Sequence, residues 1–520
     1  MMITPERFKK EIGIFAKPAG QLVLIAALVF IVYAGSLGGQ FVWDDHALIT
    51  DNLYVKDFQY LPQVFSQDLG RGSGVGFHYW RPLTSMVYML EYSWWGPNPT
   101  GYHLLNIAFH ALAAGCLYWL IIVLFSDQVT AFLAAGLFAV HPVHSQTVNY
   151  ISNLQEGLSA VFVFLSLTFY VKYCRNTDRR YYLLMLVSFI LALISKESGL
   201  IVPGLFLLYH FIFGERLHAK AFLPILIVAL GYLVWRNTVL GQSVVEAAGL
   251  FRRLLEFFTA LTGYCGLLLL PRDIRTEYTA GTFSWMAPAA VGGILILAAL
   301  LFAALGRKQK MISWAAGWFL LTLLPASGIL YSTAFYMTGH YLYLPSAGFF
   351  LSLAAGLARL WRRPRLRVYS VGLALALAAF YSCLAAGQNV YWRDDITLFR
   401  HNLKYAPQSG RMHYNLGLAY YQAGDIHRAI DSYQQALKSG TASPAVYYNL
   451  ALVYSDTGQL DLAITNFKKA IALDHGYFRA YHGLGCLYVR LGRNQEAEEL
   501  FQAARVLSRL RQAALAQVFD

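Results

Sequence analysis

Between residues 21 and 387 the chain alternates long apolar runs with short polar joints, and after about residue 390 apolar and polar positions mix evenly. A helix crosses a membrane with about 20 mostly apolar residues, or fewer where its flanks help. Such runs lie at 21–38, 104–124, 129–143, 157–173, 181–195, 199–214, 221–235, 285–305, 311–330, 341–360 and 368–387, which predicts about 11 spans. The apolar stretch 254–270 is expected to be interfacial or re-entrant, because counting it as a span would put basic clusters on opposite sides. The expected fold is all-α: a polytopic transmembrane helical bundle over 1–390 and a second, helical domain over 391–520.

The second domain repeats. Leu416, Leu450 and Leu484 recur with a period of 34, as do Tyr420, Tyr454 and Tyr488, then Gly424, Gly458 and Gly492, then Ala429, Ala463 and Ala497. Tyr433, Phe467 and Phe501 follow, then Ala436, Ala470 and Ala504. Alternating small and large positions at this period let two antiparallel helices interlock, with glycine at the turn between them, as in tetratricopeptide repeats. Three repeats at about 410–443, 444–477 and 478–511, with a terminal helix from about 506, suffice to bury a continuous α-solenoid core. Such an array presents a concave surface that suits a protein or peptide.

Composition narrows the class. The chain is 57% hydrophobic and only 13% charged, against about 25% charged in soluble domains. The formal charge of +13 does not point to nucleic acid, because the basic residues sit beside apolar runs. With the N-terminus cytoplasmic, the inner loops hold Lys172, Arg175, Arg179 and Arg180, then Arg216 and Lys220, then Arg307, Lys308 and Lys310, then Arg362, Arg363, Arg365 and Arg367. Arg7, Lys9, Lys10 and Lys17 before the first run suggest a leader, but Ser36 to Gly39 make a poor cleavage site and a retained helix is expected. The loop 39–103, the turns near 144–156 and 196–198, the segment 236–284, the loop 331–340 and everything after 388 then lie outside the cytoplasm. The five cysteines form neither a disulfide framework nor a metal knuckle.

Candidate chemistry gathers on that outer face. Asp44 and Asp45 follow the first helix directly, where one carboxylate can take a proton from a hydroxyl nucleophile while the other orients it or binds a cation. The same loop carries His78, Tyr79 and Arg81, whose guanidinium suits a phosphate. The third run ends at His141 and His144 and the fifth at Lys196 and Glu197. Ionisable groups at membrane depth are costly and mark functional cavities. Singly, each has a plain alternative: a helix cap, an interfacial anchor, a Lys196 with Glu197 pair, a core histidine. No third ligand follows the two histidines at a metal-site spacing, and no Walker, dinucleotide or nucleophile-elbow motif is present.

Asp44 and Asp45, Tyr79 to Pro82, His141 to His144, Ser195 to Gly199 and Tyr341 to Gly348, in this order and followed by repeats, resemble the transmembrane and tetratricopeptide-repeat-containing (TMTC) O-mannosyltransferases and, more broadly, GT-C glycosyltransferases. The resemblance covers nearly the whole chain. It implies inverting transfer of mannose or another hexose from a polyprenyl-phosphate-linked donor to an acceptor hydroxyl, Ser or Thr of a protein, on the extracytoplasmic side. It makes Asp44 or Asp45 the base and Arg81, Lys196 and His340 the groups that neutralise the leaving phosphate. His78, Tyr79, His141, His144, Glu197 and Tyr341 would line the site. The family often carries a Glu-Arg pair before its Tyr-Leu-Pro-Ser stretch, where this chain has Gly339 and His340. Only three repeats fit a prokaryotic relative, hence an expected multi-pass protein of a bacterial inner membrane with its repeats in the periplasm; an endoplasmic-reticulum membrane would have the same topology. The partners implied are the lipid-linked donor, a protein or peptide acceptor on the repeats, and membrane lipids. Two other classes compete. A non-catalytic membrane scaffold leaves the paired aspartates without a task, and a transporter should carry its charges nearer the midplane. The residues leave open the sugar, the acceptor, a divalent metal requirement and the oligomeric state.

Overall fold

The computed structural model describes residues 17–517 except 218, 242–248, 277, 279–285, 307 and 330–336. Arg7, Lys9, Lys10, Arg307 and most of the loop expected at 331–340 lie outside the described residues, as do parts of the segment 236–284 and the outermost residues of the runs 285–305 and 311–330. The chain divides into two compact units, Met1–Arg393 and Asp394–Asp520. Among the described residues both are helical, and the sole β feature is an antiparallel bridge between Tyr278 and Met337.

The first unit contains α1 (Pro18–Tyr33), α2 (Pro82–Trp95), α3 (Pro99–Phe125), α4 (Gln128–Val140), α5 (Leu154–Asn176), α6 (Arg179–Ser195) and α7 (Val202–Phe213). There follow α8 (Ala219–Leu240), α9 (Leu250–Leu269), α10 (Met286–Leu305), α11 (Lys310–Leu323), α12 (Ser346–Trp361) and α13 (Arg367–Asn389). Side chains set the helix ends. Asn98, Asp127 and Asp178 accept from the backbone N–H groups of Thr100, Thr130 and Arg180, satisfying donors that the first helical turn leaves orphaned. Arg175 donates to the Val123 and Leu124 carbonyls at the end of α3, and Arg362 pairs with Asp127.

Among the described residues six segments can cross a membrane by length and composition: Pro18–Gly38, Pro99–Phe125, Ile151–Asn176, Ala221–Leu240, Pro288–Leu305 and Pro364–Trp392. This is a multi-pass membrane protein. The runs read at 129–143, 199–214, 311–330 and 341–360 fold as shorter helices, with breaks at His141 and around Tyr341, and the run 181–195 lies whole within the 17 residues of α6. The 254–270 stretch is helical within α9, which carries Arg252, Arg253 and Glu256 in its first turns. Two-thirds of α5's apolar window (67%) is buried, against 17% for α8, α10 and α13, so α5 is a core helix and those three leave most of their surface for lipid. Gly348 permits the close crossing of α12 on α11: a Cβ there would lie 2.3 Å from the Ala315 carbonyl.

The second unit opens with α14 (Asp395–Tyr405) and continues with the pairs α15 (Gly410–Gln422) and α16 (Ile426–Lys438), α17 (Pro444–Asp456) and α18 (Leu460–Leu473), and α19 (Phe478–Arg490) and α20 (Asn494–Gln517). Gly424, Gly458 and Gly492 turn each pair with φ of 78°, 75° and 74°, a region that costs a residue with a Cβ. Ala429, Tyr433 and Ala436, then Ala463, Phe467 and Ala470, are buried where the pairs interlock. The separate terminal helix expected from about 506 is instead the continuation of α20, since no turn residue interrupts it.

Candidate active site

The loop after α1 is tied to the start of α5. Asp45 is fully buried, and its carboxylate accepts from Val42 N–H at 2.9 Å, from Ser152 N–H at 2.7 Å and from the Ser152 hydroxyl. Burial pushes the Asp45 carboxyl up to about 7, against the lowering effect of those bonds. Its oxygens are taken up by hydrogen bonds within the fold. Asp44 next to it is half-buried, and its N–H donates to Tyr150 Oη at 3.1 Å. Trp43, with φ of 55°, stacks on Tyr150 at 5.9 Å, and Tyr150 stacks on Trp392 at 5.3 Å. A bulky residue in the left-handed region is strained, and such strain gathers at functional sites. Gln40 N–H donates to the Arg393 carbonyl at 2.9 Å, so this unit's last residue lies on the face that carries Asp44.

Asp68 shapes the second part of the loop, accepting from the N–H groups of Gly70, Phe77 and Tyr79. His78, exposed and also left-handed at φ 57°, turns the chain so that the Tyr79 ring lies 3.9 Å from the Arg81 guanidinium carbon. Arg81 precedes Pro82, the first residue of α2, and Thr84 bonds the Ser195 carbonyl at 3.0 Å, docking α2 on the end of α6. Arg81 grips Glu197 with two bonds, Nε to Oε2 at 3.0 Å and Nη2 to Oε1 at 2.6 Å. Burial works to raise the Glu197 pKa, but the charge and bonds of Arg81, with Lys196 adding to them, hold it down to about 2.

The α6–α7 joint that carries the adjacent Lys196 and Glu197 is tight: a Cβ on Gly199 would lie 2.8 Å from the Ala192 backbone. Lys196 pairs with Glu156, from the first turn of α5. Glu156 Oε1 is also 4.0 Å from His340 Nε2. That separation is not an ion pair, because burial, then Lys196 and Arg81, hold the His340 imidazole well below its ordinary pKa. Hydrogen bonding assigns its tautomer. Thr338 Oγ1 donates to a carbonyl oxygen, Thr276 O at 2.9 Å or Gln146 Oε1 at 3.3 Å. Toward His340 Nδ1, 2.9 Å away, it therefore accepts, so Nδ1 carries the proton and Nε2 offers a lone pair. His340 is thus a neutral acceptor facing the site, not the cation expected to neutralise a phosphate. Tyr341 sits edge-on to it at 4.6 Å.

Arg81, Lys196, Glu156, Glu197 and His340 thereby meet from four separate stretches of chain, and Arg81, Glu197, Asp44 and Glu156 are the electrostatic neighbours of Tyr79. His141 and His144, expected to line the site, do not join them. Both are fully buried in the helical core. His141 Nε2 donates to the Leu268 carbonyl and its Nδ1 accepts from Val143 N–H, each at 3.2 Å. His144 packs 4.4 Å from Phe138 and 4.9 Å from Tyr343, beside a third histidine, His110. They are core histidines because the helix break at Pro142 turns them inward. Among the described residues no three His, Cys, Asp or Glu side chains converge as metal ligands.

Residues missed in the sequence are Glu156, Asp68, Tyr150, Ser152 and Thr338. Glu156 had a usable signal: an acid one residue before the run 157–173, where a charge is expensive. The others had none, since loop hydrogen bonds follow no period.

A family model described as dolichyl-phosphate-mannose-protein mannosyltransferase matches residues 83–241. Tetratricopeptide-repeat models match residues 417–458 and 443–507. A protein O-mannosyl-transferase of Caenorhabditis elegans is 28% identical over 438 residues, covering 80% of this chain and 62% of that protein. Protein O-mannosyl-transferase TMTC3 of Mus musculus is 25% identical, covering 80% of this chain and 50% of its own length, and TMTC4 of Homo sapiens 24%, covering 79% and 65%. The chain thus spans between half and two-thirds of the length of these relatives. An archaeal oligosaccharyltransferase structure from Archaeoglobus fulgidus, 15% identical, covers 78% of this chain and 59% of its own with a TM-score of 0.43, too low to define a shared fold. The chain is TMTC-like: a multi-pass membrane protein with tetratricopeptide repeats, related over about four-fifths of its length to the protein O-mannosyltransferases.

Proposed function

We propose that the membrane unit transfers a hexose, mannose by likeness to its relatives, from a polyprenyl-phosphate donor to a Ser or Thr hydroxyl of a polypeptide, on the extracytoplasmic side. In a bacterial inner membrane that side is the periplasm. The observation that carries this reading is the convergence of Asp44, Arg81, Glu197 and Glu156 around the exposed Tyr79, with Glu156 bringing in a second cation, Lys196. The acceptor oxygen attacks the anomeric carbon and its proton passes to the Asp44 carboxylate. The bond from that carbon to the phosphate oxygen breaks with its electron pair moving to phosphate, and the sugar inverts. Arg81 and Lys196 stabilise the departing charge through N–H groups not spent on Glu197 and Glu156. Those two carboxylates fix the cations in place before the donor arrives, so little reorganisation accompanies bond cleavage.

The test is transfer of labelled mannose from polyprenyl-phosphate-mannose to a Ser/Thr peptide by the purified protein in lipid nanodiscs. Asp44→Asn should lower the rate by about 10²- to 10⁴-fold with folding intact. A folded Asp44→Asn protein that transfers at the unsubstituted rate would overturn the assignment.

A further inference from the structure

The third repeat holds a cavity of about 670 Å³ that sequence periodicity did not announce. Arg479, Arg505 and Arg509 line it together with Tyr448, Phe478 and Phe501, and among the described residues no acidic side chain does. On α20 the lining positions Phe501, Arg505 and Arg509 recur every fourth residue, with Ala504 and Ser508 between them, so a single helical face is committed to the cavity. α19 adds Phe478, Arg479 and His482, and α17 adds Tyr448. The aromatic walls are braced: His482 lies 5.4 Å from Phe501, and Tyr448 5.7 Å from Tyr477.

Elsewhere in this unit Arg428 is paired with Asp425 and Arg493 with Glu496, and Arg490 bonds the Ser455 hydroxyl. Among the described residues the three arginines of the cavity have no such partner, and Glu498, earlier on α20, is bonded to Gln502. Like charges four residues apart on a helix repel, so Arg505 and Arg509 gain most from an anion between them. Guanidinium forks match carboxylates with paired, directional bonds.

We propose that this cavity binds an acidic segment of a polypeptide partner, with carboxylates on Arg479, Arg505 and Arg509 and an apolar or aromatic side chain against Tyr448, Phe478 and Phe501. The volume falls within the roughly 300–1,000 Å³ of ligand pockets. A lone phosphate would leave the aromatic walls unfilled. The inference deepens the reading of the repeats as a polypeptide-binding surface and does not require the membrane unit to transfer sugar.

The test is fluorescence anisotropy on the full chain in nanodiscs. The probe is a labelled decapeptide of Asp and Glu with one central Phe, compared with its Asn and Gln counterpart. The acidic peptide should bind about tenfold more tightly or better, and weaken with salt. Arg479→Ala with Arg505→Ala and Arg509→Ala, all exposed positions, should abolish the difference, whereas Arg428→Ala should keep it. Equal binding of the two peptides, unchanged binding by the triple variant, or displacement by inorganic phosphate as effective as by unlabelled acidic peptide would each overturn the proposal. Transfer to a short Ser/Thr peptide is read on the same preparations, so loss of the enzymatic reading leaves this binding result standing, and the reverse.

Discussion

Arg81, Lys196, Glu156 and Glu197 bond to one another's charged side chains, whereas His141 and His110 inside the bundle bond to neutral partners, the Leu268 and Ala139 carbonyls and, for His110, the Tyr343 hydroxyl. Both groups are ionisable and both gather near helix ends, so in sequence they look alike. The difference is what satisfies them. An imidazole that donates from one nitrogen and accepts at the other is complete in its neutral form and can be buried without a counter-charge. Guanidinium, ammonium and carboxylate groups cannot, so each must find an opposite charge, and the pairs stay near a surface that a substrate can reach.

The strongest way to break that comparison is to take a charge from the ionic group. Glu156 is only 5% exposed, against 22% for Glu197, so Lys196→Ala strands the more deeply buried carboxylate. Thermal unfolding in detergent should show a loss of about 3–5 kcal/mol. His340 then faces Glu156 without the Lys196 charge that, after burial, holds its pKa down. A histidine held below its unfolded value of about 6.5 costs stability as pH falls through that value, and removing one of the charges that hold it down makes this cost smaller. The variant should therefore lose less stability than the unsubstituted protein as pH falls below about 6.5. Equal pH profiles would mean that His340 does not sense the pair.

Next in size is acid. The Glu197 carboxyl is held down to about 2 from an ordinary 4.5, so its pairing with Arg81 stabilises fully above pH 4.5 and is lost as pH falls through 2. The shift corresponds to a contribution on the order of 3 kcal/mol. Glu197→Gln should remove that part of the acid dependence of unfolding. It should also weaken donor binding, read as a higher KM, because the two bonds that hold Arg81 in place before the donor arrives are no longer both made to a carboxylate. A lower KM would make Glu197 a competitor of the phosphate for Arg81 instead.

The repeats were legible because interlocking helices impose a strict alternation of small and large side chains, and Ala429 against Tyr433 writes that alternation into the sequence. The apolar helices were legible for an equally local reason, the mean polarity of a window. Residue roles at the site were not. Glu156 stands just before an apolar run and looks like an ordinary flank until Lys196 arrives from α6. His141 looks like a ligand until the Leu268 carbonyl, far along the chain, takes its proton donor. Asp45 and Asp44 are indistinguishable as letters, and only Ser152 decides which one is consumed by the fold.

The aspartate pair supplies a smaller effect. In Asp45→Asn the amide group must turn one N–H donor toward either Val42 N–H or Ser152, where two acceptor oxygens were needed. Leaving a buried donor opposed costs about 1–3 kcal/mol. Unfolding should register that cost, with transfer by the folded fraction largely kept, in contrast to Asp44→Asn. A folded, stable Asp45→Asn protein without activity would reverse the two roles.

Smallest should be the effect of His144→Phe. His144 reaches only Ser346 Oγ, at 3.4 Å, and its Nδ1 has no partner among the described residues. Ser346 keeps its own bond to the Tyr343 carbonyl at 2.9 Å whatever ring stands at 144. The imidazole already packs as an aromatic, near Phe138 and Tyr343 and 6.3 Å from Phe350. A phenyl ring there swaps a poorly satisfied polar group for an apolar one of slightly larger size, a change that costs under about 1.5 kcal/mol when the core accommodates it. Transfer should continue at the unsubstituted rate. Loss of transfer by a folded His144→Phe protein would place the buried histidines in the chemistry and erase the distinction between the two clusters.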